Sequence, residues 1–319
     1  MLLHGWYQVA FERDLNSSLV PVLVGETPVL LVRNAETVRA FDGICPHRGA
    51  NLAIGGQLLE NAILCPFHHF KISLVSSSTG QFCLQEFPTL MVGGLVFVRL
   101  SSQFENGLTQ LLSDLDQSAY FIPGFTTSID APAELIIENA FDGLHFQPVH
   151  GTYNCPKLTR LNSQWGEFRA SSLFELPPSP WQKAHPASTQ MQVPYVAQAF
   201  SPGVVVSSMA GKHPYQVITS ATPTSTTSSI VRLSIVVSAH QQASPEPDLC
   251  RYLLQQCKAG IEKDRVIWEN MKIDTPCQFD DQDDIVKAFQ AYCQSFRETS
   301  SQHAANKRTT DSATRSTFG

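Results

Sequence analysis

The chain has 319 residues, a formal net charge of −6, 43% hydrophobic residues and 16% charged residues. That length allows one large domain or two ordinary ones with ample core, and the balance is that of a globular chain. The acidic charge argues against nucleic acid, no apolar run is long enough to span a bilayer, and the start Met1–Trp6 has no basic region or long apolar stretch, so it does not read as a signal peptide. The expectation is a cytoplasmic protein.

Residues 4–100 alternate short β-type runs with turns. Val20–Val24, Val29–Arg33, Val38–Asp42 and Leu95–Leu100 are the runs, and glycines at 25, 43, 49, 55, 56 and 80 punctuate them. Strands at this spacing read as an all-β unit. Within it stand Cys45-Pro46-His47 and Cys65-Pro66-Phe67-His68, seventeen residues apart. Two Cys–His pairs on two loops can supply two thiolates and two imidazoles. In a Rieske [2Fe-2S] centre the cysteines hold one iron and the histidines the other, and neutral imidazole raises the potential. Pro46 and Pro66 stiffen the loops, and Gly43, Gly49, Gly55 and Gly56 supply tight turns. Structural zinc uses the same residue types and is the alternative. The other six cysteines (83, 155, 250, 257, 277, 293) follow no motif and read as small buried hydrophobes.

Residues 103–125 read as a connector. A strand is expected over Glu134–Glu138, followed by a helix-like motif, Glu138-Asn-Ala-Phe-Asp142-Gly-Leu-His145-Phe-Gln-Pro148-Val-His150. Five helical residues turn through roughly 500°, so His145 and His150 would not share a helix face. Pro148 cannot donate to the carbonyl four residues back, and a bend there would let both imidazoles reach one ion. Strands follow over Ala170–Leu176, Val204–Met209, Val217–Thr222 and Ile230–Val237, with a Ser/Thr-rich hairpin at Thr222–Ser229. Phe146, Phe174, Phe200 and Met209 are candidate pocket residues, or ordinary core.

Ser244–Asp248 opens a long helix, and a second runs from Asp283 to Phe296 with Ile285, Phe289, Tyr292 and Phe296 on one face. In the first, Leu253, Cys257, Ile261, Trp268 and Met271 form an apolar stripe with Asp264 in its gap. An acid on an apolar face is costly unless paired or bound to metal. Asp264 is therefore the third ligand that a two-His-one-carboxylate iron site requires. Glu262 and Asp274 come next, and a structural acid paired with arginine or backbone is the other reading. The tail from residue 300 is expected to be disordered.

Three segments carry a family resemblance. Phe41–Leu52 with Ile63–His68 resembles the Rieske domain of aromatic-ring and steroid oxygenases. Asp142-x-x-His145-x4-His150 resembles their mononuclear iron motif. Asp264-x-x-Ile267-Trp268 is similar to the distal ligand motif of the steroid ring hydroxylase and sterol desaturase branch. One departure is His69-Phe70, where the family has Gly-Trp. The resemblance implies an α+β chain: an N-terminal all-β Rieske [2Fe-2S] domain (4–102), a helix-grip (START-like) antiparallel-sheet catalytic domain (103–299), and a tail (300–319).

It implies a [2Fe-2S] cluster on Cys45, His47, Cys65 and His68, and Fe2+ on His145, His150 and Asp264. It also implies a homotrimer in which Asp142 joins His145 to His68 of the partner subunit. The function implied is oxidation, foremost monooxygenation, of an apolar cyclic small molecule. O2 and NAD(P)H-derived electrons, delivered by a reductase and a ferredoxin, would drive it. Desaturation, demethylation and oxidative cyclisation use the same scaffold. A pure electron carrier and a ligand-binding protein are the other classes.

Overall fold

The computed structural model describes residues 4–35, 37–75, 82–100, 105–177, 191–211, 214–238, 245–273 and 275–297. Ser244, Asp274 and the tail from residue 300 lie outside these. Ten strands make the N-terminal unit: β1 (Trp6–Phe11), β2 (Leu19–Val24), β3 (Thr27–Arg33), β4 (Val38–Asp42), β5 (Gln57–Leu58), β6 (Ala62–Leu64), β7 (Lys71–Ser73), β8 (Glu86–Phe87), β9 (Thr89–Val92) and β10 (Leu95–Arg99). They form three sheets in the orders β1-β10-β9, β2-β3-β4-β8 and β5-β6-β7. Successive side chains of a strand point to opposite faces, and β3 uses both. Val29 and Leu31 pack with β1 and β10, while Leu30 and Val32 pack with Phe41, Leu52, Ile63 and Ile72 around Cys45 and Cys65. The second of these cores anchors both cysteine loops.

The following unit begins with α1 (Leu108–Ser118), β11 (Ala119–Ile129) and α2 (Ala133–Glu138). Two short turns follow, Asn139–Phe141 and Phe146–His150. The strands are β12 (Thr159–Leu161), β13 (Phe168–Leu176), β14 (Met191–Ser201), β15 (Val204–Met209), β16 (Tyr215–Pro223) and β17 (Ser229–Ser238), and α3 (Pro247–Trp268) and α4 (Asp284–Gln294) close the chain. Its seven strands form one antiparallel sheet, β11-β17-β16-β15-β14-β13-β12. One face packs on α2, α3 and α4 through residues such as Phe168, Tyr195, Leu233, Leu253 and Phe289. The other packs on α1 and the N-terminal unit through Phe200, Val204, Val206, Ile218 and Val236 against Trp6, Phe11 and Phe97. The two units thus share a core.

Four expectations are corrected. Glu134–Glu138 is helix, not strand: Pro132 caps it in extended geometry, and Ile136 and Ile137 are buried. An apolar triplet is too short for periodicity to tell the two apart. The connector over 103–125 contains α1, whose Leu108, Leu111, Leu112 and Leu115 follow helical spacing, and the first half of β11. Cys83, Cys155 and Cys277 are exposed, whereas Cys250 and Cys293 are buried. Met271 lies beyond the end of α3 and is exposed; on α4, as expected, Ile285, Phe289 and Tyr292 face the core and Phe296 is buried just past its end.

Candidate metal centres

The first site is built from two loops that repeat one geometry. The Cys45 N–H donates to the Ala50 carbonyl at 2.8 Å, and the Gly49 N–H donates back to the Cys45 carbonyl at 2.9 Å. Twenty residues on, the Cys65 N–H donates to the Phe70 carbonyl at 2.9 Å, and the His69 N–H to the Cys65 carbonyl at 3.0 Å. Each loop needs a left-handed residue at its fifth position: Gly49 has φ 75° and His69 has φ 57°. Glycine takes that conformation without strain; histidine does not. The departure seen in the sequence therefore falls on a backbone position with a steric demand.

The loops bring both cysteines and both histidines together. Cys45 and Cys65 are buried and free of disulfide, and the His47 and His68 rings meet edge to face at 4.7 Å. Burial pushes the Cys45 thiol above its ordinary value, against the amides of His47 and Arg48, which favour thiolate. At Cys65 burial also opposes ionisation, but the amides of Phe67 and His68 and the adjacent Cys45 outweigh it, and the thiol lies below its ordinary value. Partial burial, then the charges of His47 and Arg48, hold the His68 imidazole below its ordinary value. The Nδ1 of His47 is buried with no hydrogen-bond partner among the described residues. A buried polar atom left unsatisfied is costly, and a metal ion at that nitrogen would satisfy it. Two thiols fed by amides and two imidazoles, one with an orphaned nitrogen, fit a Rieske cluster.

The second site lies where α2, the 139–150 segment and α3 meet the sheet. Pro148 has no N–H, and the turn around it is wide: Phe146–His150 is a π-type turn that begins from His145 as its cap. Such turns are rare and cluster at functional sites. The widening sets the His145 and His150 rings 5.0 Å apart at 83°. Asp264 comes from α3, buried at 6% exposure, with Oδ1 3.2 Å from His150 Nε2. One ligand atom from each of His145, His150 and Asp264 lies within 4.8 Å of the others. Glu262 instead faces Arg265 at 3.5 Å.

The residues around this triad prepare it for a cation. The Nδ1–H of His145 donates to the Asp142 backbone carbonyl at 2.7 Å, which leaves the Nε2 lone pair toward the triad, where it accepts from Asn139 Nδ2 at 3.0 Å. That tautomer is the metal-binding one. Asp264 has no arginine or lysine ion partner among the described residues, only His150. Burying a carboxylate without a cation costs several kcal/mol, and a divalent ion removes that cost. Two imidazoles and one carboxylate are the donor set of non-haem Fe(II). Asp142 stands at the edge, its Oδ1 accepting from the Leu144 N–H at 2.9 Å and its Oδ2 3.5 Å from His145 Nδ1.

A cavity of about 370 Å3 opens from the triad. Phe146, Phe174 and Met209 line it, as expected, together with Tyr195, Val217, Leu233 and Trp268. Phe200 does not: it sits on the far face of the sheet, fully buried. Asn139, Tyr195 and Tyr215 line the cavity but were not singled out by sequence reasoning. Asn139 lies within the motif that carries the histidines, whereas no local pattern marks tyrosines on strands.

Residues 5–88 match the Rieske [2Fe-2S] domain family, and residues 110–297 match the 3-ketosteroid 9alpha-hydroxylase C-terminal domain family. The chain belongs to the Rieske non-haem iron oxygenases. Among curated relatives, the cholesterol 7-desaturase of Drosophila melanogaster is 24% identical over 194 residues, covering 56% of this chain and 43% of that protein. The carnitine monooxygenase oxygenase subunit of Acinetobacter pittii is 26% identical over 170 residues, 46% of each chain. The matched region thus spans less than half the length of these two relatives. Among solved structures, dicamba monooxygenase superposes with a TM-score of 0.69 at 17% identity, over 92% of this chain and 96% of that one. At that identity the likeness speaks for the fold, and the fold of this Rieske oxygenase agrees: an N-terminal β domain, then a large antiparallel sheet with few helices. No helix among the described residues is long and apolar enough to cross a membrane.

Proposed function

We propose that this chain is an oxygenase component that monooxygenates an apolar cyclic small molecule with O2 and electrons from a reductase, directly or through a ferredoxin. One observation carries the reading: the His145, His150 and Asp264 ligand atoms converge within 4.8 Å at the wall of a largely apolar cavity. A pure electron carrier has no use for a second metal site beside a cavity. In this reading Cys45, His47, Cys65 and His68 hold the cluster and the triad holds Fe2+. When bound, the cluster delivers electrons singly and the iron activates O2. The reaction balances as one C–H bond, O2, two electrons and two protons giving C–OH and water.

The protein's own groups orient and exclude. The Asp142 carbonyl fixes the His145 ring, the π-type turn aims both imidazoles, and Phe146, Phe174 and Trp268 keep the cavity apolar. Asp142 is the link to a partner subunit: its carboxylate lies beside His145 and can accept from an imidazole N–H arriving from outside. An apolar rim of exposed Phe67, Phe70 and Phe82 against the cluster histidines supports docking of another protein surface there, in a homotrimer. In this reading the cluster domain spans residues 4–102 and the catalytic domain residues 103–299. Desaturation is the second reading, favoured by the likeness to a cholesterol 7-desaturase.

The test is aerobic turnover of a panel of cyclic apolar metabolites with a surrogate reductase and 18O2, read by mass spectrometry. Gain of one labelled oxygen supports monooxygenation, and loss of two hydrogens supports desaturation. A protein with cluster iron but no further iron, and no substrate-dependent O2 uptake, refutes the oxygenase reading.

A further inference from the structure

The cavity wall is largely apolar, with polar residues such as Asn139, Thr219, Gln256 and Lys263 among its lining. On β16 the residues Tyr215, Val217 and Thr219 alternate toward the cavity, and all three line it. Tyr215 is partly buried and pairs across the sheet with Met209 and Val237. Burial, then the neighbouring Cys257 and Tyr252, push its phenol far above the ordinary value, so it stays protonated and is a donor. Cys257 shares this end of the cavity, and burial pushes its thiol up to about 12, so it too stays neutral. Among the described residues nothing hydrogen-bonds the Tyr215 hydroxyl. Tyr195, by contrast, spends its hydroxyl on the Ala140 carbonyl at 3.0 Å and Ser207 at 3.1 Å.

The helix gives the distance between the two ends. Cys257 and Asp264 both line the cavity from α3 and are seven residues apart. At 1.5 Å per residue that is about 10 Å, two turns. Cys257, which neighbours the Tyr215 phenol, and the triad's Asp264 therefore mark two points of one chamber about 10 Å apart along α3.

We propose that Tyr215 is a specificity-determining residue: its phenol donates to an acceptor oxygen on an otherwise apolar, cyclic substrate and holds the opposite end at the triad. The assignment rests on the oxygenase reading above for what happens at the triad. It names the substrate class more narrowly, as an apolar ring compound bearing a hydrogen-bond acceptor oxygen. A donor left unpaired beneath a bound ligand penalises one without the oxygen, so the anchor selects as well as positions. A neutral donor also disfavours a cationic group at that end.

The probes are 2-decalone and decalin, which differ in one carbonyl oxygen. Binding to the holoprotein is measured by equilibrium dialysis under argon, without reductase, so no turnover is needed. Wild type binds 2-decalone roughly tenfold more tightly than decalin, a difference of the size of one hydrogen bond. Tyr215→Phe keeps the ring, loses that preference and binds decalin at least as tightly as wild type, which also reports an intact cavity. Wild type that does not prefer 2-decalone overturns the proposal, as does a Tyr215→Phe variant that keeps the preference or loses both ligands equally. Selective binding by a protein that never oxidises anything leaves the anchor standing and refutes only the oxygenase reading.

Discussion

Glu138 offers a sharp test of how the interior around the iron site is built. It ends α2 just before Asn139, partly buried. Burial raises its carboxyl to about 7, with Asp142, Glu134 and Asp283 adding to the rise and Gln290 opposing it by a hydrogen bond. The unfolded chain would ionise this group near 4.5. Between those values the folded protein holds a proton that the unfolded chain has lost, so stability falls as pH rises through the window. A shift of roughly 2.5 units corresponds to about 3 kcal/mol of lost stability at full ionisation. Glu138→Gln removes the ionisation and keeps a similar shape with its contact to Gln290. The expected result is a variant about equal to wild type at pH 4.5 and about 2–3 kcal/mol more stable at pH 8. Urea unfolding of the holoprotein at several pH values measures it, followed by tryptophan fluorescence. The shared core between the two units favours a single transition. Equal stabilities at pH 8, or a variant weaker there, refute the argument that Glu138 is ionised at a cost.

Four further outcomes follow from the same geometry. Cys45→Ser or Cys65→Ser should abolish the visible cluster spectrum, because a hydroxyl is a poor replacement for thiolate; a normal spectrum in either removes the assignment. Alanine at His145, His150 or Asp264 should lose the mononuclear iron and substrate oxidation while the cluster spectrum persists, as metal analysis will show; an Asp264→Ala protein that keeps both moves the third ligand elsewhere. Asp142→Asn should keep the mononuclear iron, since the backbone carbonyl and not the carboxylate orients His145 at 2.7 Å, yet slow substrate-dependent reoxidation of the reduced cluster at least tenfold in stopped flow. His69→Gly should relieve a left-handed residue worth about 1–2 kcal/mol, offset by glycine's freedom in the unfolded chain at about 0.5–1 kcal/mol. A small gain in the thermal stability of the cluster spectrum is expected, and a loss would mean that the His69 side chain makes a stabilising contact.

Much of the chemistry was legible in the linear order of residues. The two Cys–His pairs, the proline between two histidines and an acid in an apolar helix stripe are local patterns, because each ligand loop or turn is built from consecutive residues. Helical phase placed Asp264 on the buried side of α3 for the same reason: one turn decides which side chains share a face. Strands with alternating or β-branched runs, such as β3 and β17, were equally plain.

Tertiary structure decided the rest. Whether Ala133–Glu138 is helix or strand depends on what buries Ile136 and Ile137, and six residues are too few for the sequence to declare a period. Phe200 faces away from the cavity because a sheet covered on both faces gives no polar side by which to tell inside from outside. The tautomer of His145 is set by the Asp142 carbonyl, a backbone contact that no residue type announces. Tyr195 and Tyr215 reach the cavity from strands far along the chain from the histidines. Local spacing determines which groups can bind metal; only the closing of the sheet against α3 determines which side chains face that metal across the cavity.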